Sequence, residues 1–138
     1  MAYREIVASL KNIDRVLEYL EKNIPTDAII FLNGTLASGK TTLTKAIVNY
    51  KGLDSSVTSP TFSLQHIYGD TIFHYDLYRI NISEFMALGL FEEFEKSGWH
   101  LIEWGSEILR NLCLKAGYNV CTINIEILEN KRKYKIEI

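Results

Sequence analysis

Hydrophobic and polar positions in the N-terminal third of the chain predict a strand, a helix, a second strand and a second helix. Residues 3–9 are typical of a strand, and apolar residues then recur at helical spacing in a segment that Asn12 can cap and Pro25 ends. Residues 28–32 form a continuous apolar run, as expected of a strand buried on both faces. The next apolar residues lie three and four positions apart, which predicts a helix ending near Tyr50.

The remainder of the chain predicts shorter elements. A hairpin comes first, with strands at 62–67 and 71–75 around Tyr68, Gly69 and Asp70. A helix capped by Asn81 or Ser83 follows and breaks or bends at Gly89, and after it come a strand at 99–102 and a helix at about 106–115. The chain ends with strands at 119–128 and 133–138, which a turn at 129–132 connects. The pattern therefore predicts an α/β fold, a mixed β-sheet with helices on both sides and an antiparallel C-terminal hairpin. Because the sequence contains no repeat, low-complexity segment or linker, we expect residues 1–138 to form a single domain.

Composition narrows the classes of function. Apolar residues make up 47% of the chain and charged residues 23%, as in ordinary globular proteins. The net charge of −2 provides no basic field, so direct strong binding of nucleic acid is not expected. The sequence has neither a membrane-span pattern nor a signal-peptide pattern, which predicts a cytoplasmic protein. Cys113 and Cys121 are expected to be buried small hydrophobes.

The strongest chemical signal is the stretch at 34–42, which fits the phosphate-loop pattern G-x-x-x-x-G-K-[ST]. Its glycines let the backbone turn tightly, so that N–H groups point at phosphate oxygens. Lys40 is expected to reach the β- and γ-phosphates, and the Thr41 hydroxyl to bind Mg²⁺. The helix that follows would present its positive N-terminus to the same anion.

Two acidic residues are placed to complete such a site. Glu103 directly follows the strand at 99–102, in the manner of a Walker B acid, and Asp76 ends the strand at 71–75. The alternative for each is a solvated carboxylate that caps a neighbouring helix. A hydroxyl-rich loop at 58–61 lies where a segment that senses the γ-phosphate is expected, and the alternative is a simple turn around Pro60.

The sequence leaves two interpretations open for the role of several other residues. His74 is more often a structural donor than a catalyst in such a setting. Arg79 suits a phosphate contact or an ion pair with a nearby glutamate, and Trp104 suits an aromatic lid or the core. The basic run at 131–133 is usually a solvated turn, with contact to a nucleotide or an acidic partner as the alternative.

These motifs, in this order, resemble the bacterial TsaE (YjeE) family over about residues 3–138. After the phosphate loop come S-P-T-F at 59–62, H-Y-D-L-Y-R at 74–79 and E-W-G at 103–105. Members of this family are small P-loop ATPases needed for the threonylcarbamoyl modification of adenosine 37 in tRNAs that read ANN codons. The resemblance implies a weak, Mg²⁺-dependent and partner-stimulated ATPase that docks on a complex of TsaD and TsaB and does not itself transfer the carbamoyl group.

The resemblance also implies roles for individual residues, with ATP and Mg²⁺ as ligands. The residues expected to wrap the phosphates are Leu36, Ala37, Ser38, Gly39, Lys40, Thr41 and Thr42. Thr41 and Glu103 would bind Mg²⁺, and Asp76 would be the acid essential for hydrolysis, so the expected catalytic residues are Asp76, Glu103 and Lys40. Trp104 is expected to bind the nucleotide as a functionally important neighbour of the metal site, and contacts further out are expected from Ser9 and Arg132.

The loop departs from the family pattern G-D-L-G-A-G-K-T-T at two informative positions. Thr35 stands in place of the aspartate, and Ala37 carries a Cβ where glycine would allow a positive φ. Neither change removes a charged or metal-binding group at the lysine and threonine, so ATP binding is expected to survive.

Two other nucleotide-dependent classes fit the loop less well. A small-molecule kinase commonly clamps phosphates with several arginines, but none of the five arginines of this chain clusters near the loop in sequence. A GTPase switch typically carries an N-K-x-D element, which is absent from the sequence.

Overall fold

The computed structural model describes residues 2–35, 37–54 and 64–138. Within them, the strands are β1 (Tyr3–Ala8), β2 (Ala28–Asn33), β3 (Gln65–Tyr68), β4 (Ile72–Asp76), β5 (Trp99–Glu103), β6 (Val120–Leu128) and β7 (Lys131–Glu137). The α-helices are α1 (Asp14–Asn23), α2 (Lys40–Tyr50), α3 (Ile82–Ala87) and α4 (Glu107–Lys115), and short 3₁₀ helices occupy Leu10–Asn12 and Phe91–Glu95.

The strands form one mixed sheet in the order β1-β7-β6-β2-β5-β4-β3. Strands β6, β2, β5 and β4 are parallel to one another, whereas β3 and β7 run antiparallel to their neighbours. Because parallel strands end at the same edge, the C-terminal ends of β2, β4 and β5 lie side by side. This edge is where an open α/β sheet binds ligands.

Helices cover both faces of the sheet. One face packs against α1 and α2 through a core that includes Leu20, Ile30 and Leu43, and the other packs against α3 and α4 through a core that includes Phe31 and Phe85. Successive residues of β2 therefore point into opposite cores, which explains the continuous apolar run and confirms that this strand is buried on both faces.

The helix boundaries refine two predictions. Asn12 does not cap α1 but closes the 3₁₀ turn, where its Oδ1 accepts the backbone N–H of Ser9 at 2.7 Å. Asn81, and not Ser83, caps α3 through a reciprocal pair of hydrogen bonds with Glu84 at 2.9 and 3.2 Å. The break at Gly89 is confirmed, because its φ of 74° ends the helical path.

The C-terminal hairpin is confirmed, but the predicted turn at 129–132 is wrong. Strand β7 begins at Lys131, which pairs with Leu128, so only Glu129 and Asn130 connect the strands. The charged run at 131–133, which suggested a turn, is instead the start of β7. A strand can begin with charged residues here because the hairpin leaves the lysine side chains in contact with water.

Both cysteines are buried and free, as predicted. Burial raises the pKa of each thiol to about 12, so neither is a reactive thiolate. In the described part of the chain, no helix has the length and apolar character needed to cross a membrane.

Candidate functional site

A cavity of about 770 Å³ opens at the C-terminal ends of β2, β4 and β5. It is lined by Ala37, Ser38, Gly39, Lys40, Thr41, Thr42, Leu64, Asp76, Tyr78, Arg79, Glu103, Trp104 and Arg132. A volume of this size falls within the usual range of about 300–1,000 Å³ for small-ligand pockets. The predicted loop and both predicted acids therefore meet at one place.

The phosphate loop follows β2 and ends where α2 begins. Gly39 precedes the helix with a φ of 110°, a conformation that favours glycine. Ala37 has a φ of 64°, so this residue carries a Cβ in the left-handed conformation that glycine would adopt more easily. That conformation costs a non-glycine residue about 1–2 kcal/mol, which the surrounding loop must offset.

Lys40 is the first residue of α2 and is only 5% exposed. Its Nζ donates hydrogen bonds to the carbonyl oxygens of Gly34 at 2.7 Å and Thr35 at 3.0 Å. Burial lowers the pKa of Lys40, and the negative charges of Glu103 and Asp76 oppose that shift. The loop thus holds a cation at the point where phosphate charge is expected.

Glu103 ends β5 and is buried beside this cation. Its Oε2 accepts hydrogen bonds from Thr41 Oγ1 at 2.9 Å and from His74 Nε2 at 2.5 Å. Burial by itself raises the pKa of Glu103, but the hydrogen bond and charge of His74, the Thr41 hydroxyl and the charge of Lys40 outweigh it and lower the pKa overall. Glu103 is therefore a carboxylate at neutral pH.

The Thr41 and Glu103 oxygens fit the demands of Mg²⁺. A hydroxyl and a carboxylate are oxygen ligands of the kind that Mg²⁺ takes, and the 2.9 Å hydrogen bond between Thr41 Oγ1 and Glu103 Oε2 holds the two oxygens side by side. No group of three or more histidine, cysteine or acidic side chains that could hold a metal occurs among the described residues. A cation at this pair would therefore complete its shell with water and phosphate oxygens, as Mg²⁺ usually does.

Asp76 ends β4 and stands next to Glu103, its partner in the β4–β5 register. Unlike Glu103, it is exposed, and its Oδ1 accepts the backbone N–H of Tyr78 at 3.1 Å. The two acids thus share one edge of the cavity but have different environments. The buried carboxylate suits a metal ligand, and the solvated one suits contact with water.

Trp104 lies on the cavity wall and belongs to neither core. Its backbone has a φ of 61°, its ring packs edge-on against Tyr78 with centroids 4.9 Å apart, and Lys40 Nζ lies 4.2 Å from its centroid. Of the two interpretations left open by the sequence, the position favours an aromatic wall next to the lysine over a core residue.

Gly105, the residue after Trp104, packs closely against the core, because a Cβ there would lie 2.6 Å from two ring carbons of Phe31. Phe31 is buried in the core. We expect Gly105→Ala to lower the free energy of unfolding by about 1–3 kcal/mol through this overlap. Urea denaturation checks the value, and an unchanged midpoint would show that the sheet yields to the extra methyl group.

Arg132 reaches the phosphate loop from β7. Its Nε donates to the Ser38 carbonyl oxygen at 2.8 Å. Ser9 follows Ala8, the strand partner of Arg132, but it does not line the cavity and its hydroxyl donates to Asn12 Oδ1 at 3.1 Å.

Comparison with known proteins identifies the family of the chain. A family model described as "Threonylcarbamoyl adenosine biosynthesis protein TsaE" matches residues 7–136. The chain belongs to the TsaE family. It is 36% identical over 124 residues to the "tRNA threonylcarbamoyladenosine biosynthesis protein TsaE" of Rickettsia conorii, covering 86% of this chain and 68% of that protein. The protein of the same name from Rickettsia prowazekii is 34% identical over 130 residues, covering 91% of this chain and 87% of the relative.

A solved structure supports the fold of this TsaE-family chain. The crystal structure of YdiB from Bacillus subtilis aligns with a TM-score of 0.60 over 99% of this chain and 86% of that one, at 21% identity. The predicted P-loop NTPase-like α/β fold is confirmed by this likeness and by the mixed sheet.

Two arginines of this TsaE-family site were already candidates in the sequence, Arg132 through the family resemblance and Arg79 as one of two interpretations. Arg79 and Arg132 both line the cavity, although no arginine lies near the loop in sequence. Strand order brings Arg132 to the loop, and no local pattern carried that information. Two further expectations, Leu36 at the phosphates and the hydroxyl-rich loop at 58–61, lie outside the described residues.

Proposed function

We propose that this chain binds MgATP in the cavity and hydrolyses it slowly in support of the threonylcarbamoyl modification of adenosine 37 in tRNAs that read ANN codons. The observation that carries the proposal is the contact of the Thr41 hydroxyl with the Glu103 carboxylate at 2.9 Å, with Lys40 at the start of the same helix. Membership of the TsaE family supports the pathway. The cytoplasm is the compartment we propose.

Five residues of the cavity have distinct parts in this proposal. Lys40 and the loop N–H groups would hold the phosphates, while Thr41 and Glu103 would hold the cation. Bound Mg²⁺ would neutralise charge on the phosphate oxygens. Asp76, which is solvated and adjacent, would orient the attacking water or accept its proton. Arg132 would keep the loop closed through the Ser38 carbonyl oxygen.

The proposed partner is the complex of TsaD and TsaB. A chain with a net charge of −2 is poorly suited to gathering tRNA by itself, which favours a protein partner that holds the RNA. Tyr78 is 55% exposed at the cavity edge, beside Asp76 and Arg79. A surface at that edge would be sensitive to the nucleotide within the cavity.

We expect the chain to be retained by TsaD–TsaB in the presence of ATP and its ATP hydrolysis to rise when the complex and tRNA are added. A pull-down in ATP, in ADP and without nucleotide, together with phosphate release with and without the complex, measures both effects. Lys45→Ala changes an exposed lysine on the same helix as Lys40 and should behave as the wild type. Absence of a complex under every nucleotide condition would contradict the partner assignment.

A further inference from the structure

His74 is a buried side chain of the site that the proposed function leaves without a role. It lies on β4, two residues before Asp76, and its side chain is 8% exposed. Its Nε2 lies 2.5 Å from Oε2 of Glu103, whose side chain is 6% exposed. Because an ionised carboxylate can only accept, Nε2 donates in this bond.

Strand register explains why these side chains meet. In β4 and β5, His74 pairs with Leu101, and Asp76 pairs with Glu103. Side chains two residues apart share a face, and Leu101 belongs to the core under α1 and α2. His74 and Glu103 therefore point to the face where α2 begins with Lys40 and Thr41.

The oxygen held by His74 is the same oxygen that accepts from Thr41. A glutamate has several rotatable bonds, and without a fixed donor its carboxylate would adopt other orientations. His74 lies on β4, which pairs with a strand on each side, so its donor stands in a fixed place. In many metal sites, hydrogen bonds from residues that do not contact the metal orient the side chains that bind it.

We propose that His74 is a positioning residue that fixes the Glu103 carboxylate for the cation that accompanies the nucleotide. The inference rests on the proposed function, since it assumes that Glu103 binds that cation. It assigns His74 no contact with nucleotide and no proton transfer. Its effect should therefore appear in the dependence of binding on Mg²⁺ and not in binding without Mg²⁺.

The test is calorimetric titration of ADP at a series of Mg²⁺ concentrations. His74→Met removes the donor while keeping a side chain of similar length, and we expect it to raise the Mg²⁺ concentration for half-maximal effect by about 10- to 100-fold. The affinity without Mg²⁺ should stay at the wild-type value. His74→Gln, whose amide N–H can donate near the Nε2 position, should restore most of the Mg²⁺ dependence.

Matched controls separate positioning from packing. His66 pairs with His74 across the β3–β4 hairpin but makes no hydrogen bond to Glu103, so His66→Met should retain wild-type Mg²⁺ dependence. If His74→Met does not fold, His74→Asn replaces it, because its shorter amide ends before the Nε2 position and should also weaken Mg²⁺ dependence.

Glu103→Gln distinguishes the failure of this inference from the failure of the proposed function. If Glu103→Gln leaves Mg²⁺ dependence unchanged, the cation assignment fails and His74 loses its role with it. If Glu103→Gln removes Mg²⁺ dependence while folded His74→Met or His74→Asn keeps it, only the positioning role is overturned.

Discussion

Lys40→Ala is expected to abolish measurable ATP binding. In the structure Nζ donates to two loop carbonyl oxygens, and a bound phosphate would take over such donors as charge-assisted hydrogen bonds. Each hydrogen bond to a charged group contributes about 1.5–3 kcal/mol, so two of them correspond to a loss of at least about 100-fold in affinity. Isothermal titration calorimetry with MgATP measures the loss.

The control for this variant is Lys45→Ala, which removes an exposed lysine from the same helix and should leave the affinity unchanged. Removal of Lys40 leaves two loop carbonyl oxygens and the Glu103 charge without this cation, so a denaturation curve of Lys40→Ala establishes that the variant used for titration is folded. Unchanged ATP affinity in a folded Lys40→Ala protein would refute the site itself.

The overall placement of the site could be predicted because it follows from a rule of parallel sheets. A buried strand before the loop, and short apolar runs before Asp76 and Glu103, are sufficient to place all three at one edge if the strands are parallel. The structure places them there, with β2, β5 and β4 adjacent. No pairing partner had to be known for this prediction.

The contacts across the sheet could not be predicted in the same way. The bond between His74 and Glu103 depends on the register of β4 against β5, and the contact of Arg132 with Ser38 joins residues 94 positions apart. Local patterns contain neither fact. The same limit explains the error at 129–132, because a run of charges is equally compatible with a turn and with an exposed hairpin strand.

Asp76 carries the second large expected effect, on hydrolysis instead of binding. Asp76→Ala should lower the rate of ATP hydrolysis by about 100- to 10,000-fold, the usual contribution of a positioned acid or base. ATP affinity should remain close to that of the wild type, because Lys40, Thr41 and Glu103 are unaltered. Asp76→Asn should lose hydrolysis as well, although its Oδ1 can still accept the Tyr78 N–H.

The two variants together separate charge from local structure. If the bond to Tyr78 were the whole contribution of Asp76, Asp76→Asn would hydrolyse ATP at the wild-type rate. Asp70→Asn is the matched control, because Asp70 lies in the turn that precedes β4, is exposed and has a φ of 64° that asparagine tolerates. Hydrolysis is measured as phosphate release with TsaD, TsaB and tRNA present, and full turnover by Asp76→Ala would remove Asp76 from the catalytic residues, since a carboxylate that activates water cannot be replaced by a methyl group.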